Sequence, residues 1–123
     1  MKLEDQVSSL KHSKRLEELG VKQDSLWWWI KQNNNTYKLS SPGMTKFFEE
    51  DCSAFTVAEL GTMLPRGVTS GGYQLLDTTY NFGCWYELEN GVTQSFGATT
   101  EADCRAKMLE WLIVNEHIKA GEL

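Results

Sequence analysis

The chain has 123 residues and a formal net charge of −5, with 12 Lys and Arg against 17 Asp and Glu. A chain of this length predicts one domain, residues 1–123, built around a single core. The acidic balance argues against a DNA or RNA polymer and against an anionic membrane surface as partner, because both require clustered Lys and Arg.

The amino terminus, MKLEDQVSSLKHSK, carries acidic residues early and lacks the apolar segment of a signal peptide. No apolar run approaches the length of a membrane span. The three cysteines are an odd number and form no CxxC or Cys/His pair, which predicts small buried thiols in a reducing compartment. We therefore expect a cytoplasmic protein.

The first half of the chain predicts a helix, a β-hairpin and a second helix. Gly20 follows the first helix and favours the left-handed conformation that closes a Schellman motif. The LWWWI run alternates large side chains between two strand faces, and the amide-rich residues after it predict a turn. Thr56 and Glu59 have the spacing of a capping box. The predicted elements are a helix over 9–19, strands over 26–30 and 36–39, an irregular or short helical segment over 44–51, and a helix over 55–64.

The second half predicts a glycine-rich loop, three antiparallel strands and a long helix. The loop RGVTSGG, residues 66–72, lacks the GK[ST] ending of a phosphate-binding loop and is interpreted as a connection, with a flexible lid or binding loop as the alternative. Asn90-Gly91 is a strong signal for a two-residue hairpin turn, which would place Trp85 opposite Phe96. In that register neither face of the sheet is cleanly apolar. The predicted strands cover 73–79, 82–89 and 92–96, and the last helix covers 99–118.

The last helix carries apolar residues on two sides and must therefore be covered on two sides. Together the elements predict an α+β fold: an antiparallel β-meander of about five strands, packed with N- and C-terminal helices and one short central helix. Apolar surface in excess of what these layers hide predicts a homo-oligomer, with Cys104, Met108 and Trp111 at the interface. The first stripe is formed by Ala102, Ala106, Leu109, Leu112 and Ile113, and the second by Cys104, Met108, Trp111 and Ile118.

No constellation of residues predicts a catalytic reaction. The motifs of serine hydrolases and zinc proteases are absent, so we predict no catalytic residues, no metal site and no cofactor. His12 and His117 are interpreted as solvated or capping residues. Glu87 and Glu89 share a predicted sheet face, which leaves a small hydrolase using this carboxylate pair as an alternative.

The aromatic residues on the predicted strands are the feature that points to binding. The chain has 5 Trp, and Trp and Tyr anchor interfaces and stack on planar ligands. We expect a nucleotide-like ligand whose base stacks on an aromatic side chain while a cation meets its phosphate. The predicted ligand-binding residues are Trp27, Trp29, Arg66, Tyr73, Trp85, Arg105 and Lys107.

Three stretches of the chain resemble one group of proteins. AFTVAELGTMLP (54–65), TEADCRAKMLEWLIVNEHI (100–118) and LEELGVKQDSLWWWI (16–30) are similar to small uncharacterised proteins of Bacteroides-type phages, prophages and mobile elements. The resemblance spans most of the chain and brings no catalytic residues with it. Its motifs are structural, and Cys104 stands where the pattern has Ala.

The resemblance implies a non-catalytic, phage-type accessory binding protein in the cytoplasm of a bacterial host. Such a protein is expected to counter host defence by sequestering a small nucleotide-derived signal. The alternative is a protein–protein interaction module whose Trp-rich face inhibits or assists a host or phage protein.

Overall fold

The computed structural model describes residues 2–40, 49–74, 80–87 and 93–123, with the backbone alone for 69–74, 80, 81 and 93. Within these ranges the chain alternates helices and strands in the predicted order, with one additional strand before the central helix. The elements are α1 (Leu10–Glu18), β1 (Trp27–Lys31), β2 (Tyr37–Ser40), β3 (Cys52–Ala54), α2 (Val57–Met63), β4 (Val68–Gln74), β5 (Tyr80–Glu87), β6 (Thr93–Ala98) and α3 (Glu101–Val114).

The described strands form two antiparallel sheets of three strands each, in the orders β2-β1-β3 and β4-β5-β6. This arrangement confirms the α+β class; the sheet β4-β5-β6 is a meander of three strands, and β1 and β2 of the predicted five strands lie in the other sheet. The strand β3 was not predicted, because a run of only Cys-Ser-Ala has no alternating pattern. It pairs with β1, placing Ala54 opposite Trp27.

The predicted loop over 66–72 is wrong from Val68 onward. The turn is confined to Arg66 and Gly67, and β4 begins at the next residue. Glycine is depleted in strands, so its abundance here hid the strand. In the structure Gly71 lies opposite Gly83. Of the segment predicted over 44–51, residues 44–48 lie outside the described residues, and Glu49 and Glu50 form a turn.

The register between β5 and β6 differs by one residue from the predicted one. Cys84 pairs with Phe96 and Trp85 pairs with Ser95, whereas a two-residue turn would pair Trp85 with Phe96. Asn90-Gly91 itself lies outside the described residues. A shift of one residue exchanges the two faces of a strand, so the predicted mixed faces are also wrong. The residues that pack on the α3 side are Phe82, Cys84, Tyr86, Phe96 and Ala98.

Helix α3 separates two apolar cores, as its two stripes predicted, but Leu112 lies in the second core and not in the first as predicted. Ala102, Ala106 and Leu109 lie in a core with residues of α1 and α2. Cys104, Met108 and Leu112 lie in a second core against the β4-β5-β6 sheet. Both stripes are thus covered within one subunit. The doubled stripe therefore gives no support for a homo-oligomer, which stays a prediction.

The predicted interface residues do not form a surface. Cys104 and Met108 are fully buried inside the subunit, so they cannot contact a second copy of this fold and their assignment is wrong. Trp111 is half-buried and retains an accessible edge.

The predicted helix ends are confirmed by their hydrogen bonds. Gly20 has a φ of +94° after α1, and the Val21 N–H donates to the Leu16 carbonyl at 3.0 Å, which completes the Schellman motif. At the start of α2 the Glu59 N–H donates to Thr56 Oγ1 at 3.1 Å, and the Thr56 N–H donates to Glu59 Oε1 at 2.9 Å. These hydrogen bonds satisfy backbone groups that a helix leaves unpaired at its ends.

The three cysteines, Cys52, Cys84 and Cys104, are reduced thiols and fully buried, as predicted. The Cys104 thiol donates towards the carbonyls of Phe82 at 2.9 Å and Phe96 at 3.2 Å. A hydrogen bond to Cys104 and burial raise the pKa of the Cys84 thiol, which stays protonated at neutral pH. These thiols serve as packing groups.

We expect none of the three thiols to react with an aromatic disulfide reagent in the folded protein, and all of them to react in denaturant. The reactive species is an accessible thiolate, and the burial of all three thiols denies the reagent access to them. The measurement is the absorbance of the released thiolate with and without denaturant. Rapid reaction of one thiol under native conditions would contradict this arrangement.

Candidate functional site

A cavity of about 580 Å³ lies where five segments of the chain meet. These are the N-terminal segment around Leu3–Asp5, the start of β1, the start of α2, the middle of β5 and the start of α3. We name it the Trp27 cavity and define it by six of its lining residues, which are Leu3, Asp5, Trp27, Val57, Phe82 and Glu101.

The alternation of β1 places Trp27 on the cavity wall. Trp28 and Ile30 are buried, while Trp27 and Trp29 are half-buried on the opposite face, as predicted. The N–H of the preceding residue, Leu26, donates to Glu59 Oε2 at 3.1 Å. The start of β1 is therefore tied to α2, and this contact holds Trp27 beside the cavity.

The N-terminal segment is fastened to the start of α2. The Val57 N–H donates to the Gln6 carbonyl at 3.3 Å, and Val7 pairs with Thr56 in an isolated β-bridge. The segment therefore forms a fixed wall opposite α3.

The start of α3 is joined to the rest of the cavity wall through Arg105. Its Nη1 donates to the Val57 carbonyl and its Nη2 donates to Glu101 Oε1, both at 3.1 Å. The guanidinium also lies against Gly61, where a side-chain carbon would collide with Nη1. Arg105 thus borders the cavity, as a cross-link between α2 and α3 rather than as a group turned to a ligand.

The composition of the wall restricts what the cavity can hold. Leu3, Val57 and Phe82 supply apolar surface beside the Trp27 indole. The charged groups among the described lining residues are the carboxylates of Asp5 and Glu101, and the latter is paired with Arg105. Apolar walls with a few polar groups are typical of small-molecule sites, and this polarity suits an uncharged or cationic ring better than a phosphate.

The remaining predicted ligand residues are dispersed. The Trp29 indole N–H donates to the Ser8 carbonyl at 3.0 Å, which is a structural contact. Arg66 is exposed in the turn after α2, and Trp85 is 40% exposed on the outer face of β5. The side chain of Tyr73 lies outside the described residues. Of the predicted ligand residues whose side chains are described, Trp27 lines the cavity and Arg105 contacts two of its lining residues, Val57 and Glu101, while the others lie elsewhere.

Lys107 lies in a different part of the molecule, where α1 packs beside α3. Two adjoining hollows of about 450 and 300 Å³ share Arg15 and Glu110. We name them the α1–α3 cleft, defined by Lys11, Lys14, Arg15, Phe96, Lys107 and Trp111. No pattern in the sequence signals that the basic residues of α1 lie beside Trp111.

The interpretation of His12 as solvated is wrong. His12 Nδ1 lies 2.9 Å from Glu110 Oε2, and the two side chains are only 12% and 14% exposed. His117 is exposed but stacks on Trp111, with ring centroids 5.0 Å apart. Both histidines thus make specific contacts at the α1–α3 cleft or its border.

The predicted carboxylate pair is only partly described. Glu87 is exposed on β5, and Glu89 lies outside the described residues. Among the residues that the structure describes, no group of three or more His, Cys, Asp or Glu side chains is placed to hold a metal ion. A hydrolase using Glu87 and Glu89 therefore gains no support from the geometry.

In the described ranges, none of the helices combines the length and the apolar character needed to cross a membrane. Comparisons with protein-family models, with curated proteins and with solved structures give no match for this chain. The Trp27 cavity and the α1–α3 cleft are therefore the features of the described structure that bear on function.

Proposed function

We propose that the protein is a non-catalytic binding protein that holds a small planar molecule in the Trp27 cavity. The observation that carries this proposal is the half-buried Trp27 side chain on the wall of a cavity of about 580 Å³. Small-molecule sites have volumes of roughly 300–1,000 Å³ and apolar, aromatic walls. A ring system stacked on the indole would also contact Phe82 and Val57.

The walls of the cavity are held in place before any ligand arrives. Glu59 ties Leu26 to α2, Arg105 ties α2 to α3, and Val57 ties α2 to the N-terminal segment. A binding site whose walls are already ordered loses little conformational entropy when a ligand enters. This rigidity supports a role in tight capture.

The charges at the cavity define the chemistry of the ligand. Asp5 offers a carboxylate that accepts hydrogen bonds from ring N–H or amino groups, as nucleobases carry. Any phosphate of a nucleotide-derived ligand would have to point into solvent, away from Asp5 and Glu101. The sequence predicted that one site binds both the base and the phosphate of a nucleotide. The proposal for this cavity keeps only the binding of the base.

The resemblance to phage proteins supports sequestration of a nucleotide-derived host signal as the biological role, in the cytoplasm of a bacterial host. In that role binding alone is sufficient, so a site without catalytic groups is adequate. The ring moiety would be the part that the protein recognises.

The test is a titration of the purified protein with nucleobases, nucleosides, mononucleotides, cyclic dinucleotides and ADP-ribose, followed by Trp fluorescence and by melting temperature. We expect at least one ring system to raise Tm, because a ligand that binds only the folded state stabilises it. A nucleoside is expected to bind at least as tightly as its phosphate ester, because carboxylates face the site.

Trp27→Ala is expected to weaken that binding by at least about fivefold, since stacking of a base on an aromatic side chain contributes about 1–3 kcal/mol. Trp27→Phe should retain part of the affinity. Trp85→Ala is the matched control, because Trp85 lies on the outer face of β5 away from the cavity. An unchanged Tm across the whole panel, or full affinity in the Trp27→Ala variant, would refute the proposal.

A further inference from the structure

The α1–α3 cleft concentrates positive charge on a protein whose net charge is −5. Four cations, Lys11, Lys14, Arg15 and Lys107, line its two hollows, against the carboxylates of Glu18 and Glu110. The Glu110 carboxylate is already engaged by His12. The cleft is therefore a positive surface within an acidic molecule.

The cations of the cleft keep most of their charge available. The Lys107 ammonium donates to the Gly97 carbonyl at 2.7 Å, and the Lys14 ammonium lies 4.4 Å from the centre of the Tyr37 ring. Both partners are neutral. Arg15 lies 3.5 Å from Glu18, but both side chains are about half exposed or more, and such pairs contribute little. An incoming carboxylate can therefore replace or join these contacts.

The smaller hollow adds an apolar surface to this charge. The Phe96 and Trp111 rings lie 6.4 Å apart at a tilted angle, and both are half-buried. Val114, one turn further along α3, is 54% exposed. A large exposed apolar side chain beside aromatic rings is the kind of surface that accepts an anchor residue of a partner.

We propose that the α1–α3 cleft docks an acidic peptide segment of another protein that carries one large apolar side chain. The carboxylates would meet Arg15 and Lys107, while the apolar side chain would lie on Trp111. This site is separate from the Trp27 cavity, so the inference does not depend on the proposed function.

Charge decides between an acidic peptide and a nucleic acid. A single strand of nucleic acid would extend beyond the four cations onto a surface that is acidic on balance, where it would be repelled. Glu18 and Glu110 also lie within the cleft itself. A short acidic segment fits the limited extent of the positive surface.

The probe is a short fluorescent peptide rich in glutamate with a central leucine, and binding is followed by fluorescence anisotropy. We expect binding that weakens with added salt and falls by at least about tenfold in the Arg15→Glu, Lys107→Glu double variant, because opposed like charges repel. Lys22→Glu is the matched control, since Lys22 is exposed, lies outside the cleft and pairs only weakly with Asp24. Its affinity should equal that of the unmodified protein.

Two further peptides make the outcome decisive. A peptide with glycine in place of the central leucine should bind more weakly, and a lysine-rich version should bind the double variant at least as tightly as the unmodified protein, while an unchanged far-UV circular dichroism spectrum shows that the variant still folds. Equal binding of the leucine peptide by the unmodified protein and the double variant would overturn the proposal. The proposal would also be overturned if the unmodified protein bound a short oligonucleotide tightly but not the peptide. It would be overturned as well if the leucine peptide did not bind at low salt.

Discussion

Replacing Leu109 with alanine is expected to destabilise the fold by about 2–5 kcal/mol, because it deletes buried methyl groups and leaves a cavity. Leu109 is fully buried in the core shared with Leu16, Phe55 and Leu60. It lies on α3, a rigid element covered on two sides, so its surroundings have little room to collapse into the space. The expected loss is a large fraction of the stability of a small domain.

The measurement is denaturant unfolding followed by far-UV circular dichroism, with the free energy of unfolding taken from linear extrapolation. Val114→Ala is the matched control on the same helix, because Val114 is 54% exposed. We expect its effect to stay within about 0.5 kcal/mol. A loss below about 1 kcal/mol for Leu109→Ala would contradict the burial of Leu109 in the core that α3 shares with α1 and α2.

Ser8→Ala is expected to destabilise the protein by about 1–3 kcal/mol through loss of buried hydrogen bonds. The Phe55 N–H donates to Ser8 Oγ at 3.0 Å, and Ser8 Oγ also lies 2.7 Å from Ser13 Oγ. Both serines are fully buried. Alanine would leave the Phe55 N–H without its acceptor in a place that water does not reach.

The same unfolding measurement on Ser8→Ala, Ser13→Ala and the double variant tests whether the two hydroxyls act together. Residues in one hydrogen-bond network are coupled, so the double variant should lose less stability than the two single losses added. Ser95→Ala serves as the control, because Ser95 is exposed on β6. Strict additivity, or a Ser8→Ala effect no larger than that of Ser95→Ala, would count against the network.

Features that depend on neighbouring residues were predictable from the sequence. The Schellman motif at Gly20 and the capping box of Thr56 and Glu59 involve groups only a few residues apart, and both are present. The two stripes of α3 follow from helical periodicity, and each lies in its own core except for Leu112, which was predicted in the first stripe and lies in the second core. Residue spacing alone predicted these features because the helical backbone fixes which side chains and backbone groups lie close together.

What covers each stripe was not predictable, because periodicity does not reveal the partner surface. Cys104 and Met108 were assigned to a subunit interface, yet the sheet of the same subunit buries them. The register error in β5 and β6 has a related cause. Asn90-Gly91 favours a two-residue turn, which would pair Trp85 with Phe96. The structure instead pairs Cys84 with Phe96, so the local preference did not predict the register.

The Trp27 cavity was only partly predictable for the same reason. Strand alternation correctly put Trp27 and Trp29 on one face, but it cannot distinguish them. Their roles differ because the Trp29 indole meets the Ser8 carbonyl, 21 residues away in the chain. Arg105 was selected for its charge, whereas its actual partners are the Val57 carbonyl and Glu101.

The position of α3 in the chain has a consequence for synthesis. Every described strand and both other described α-helices precede it, yet one stripe completes the core beneath α1 and α2 and the other completes the core beneath the β4-β5-β6 sheet. A nascent chain therefore exposes two apolar surfaces until residues 101–114 have left the ribosome. During that interval the nascent chain would depend on chaperones, or on rapid translation of residues 101–114, to avoid aggregation.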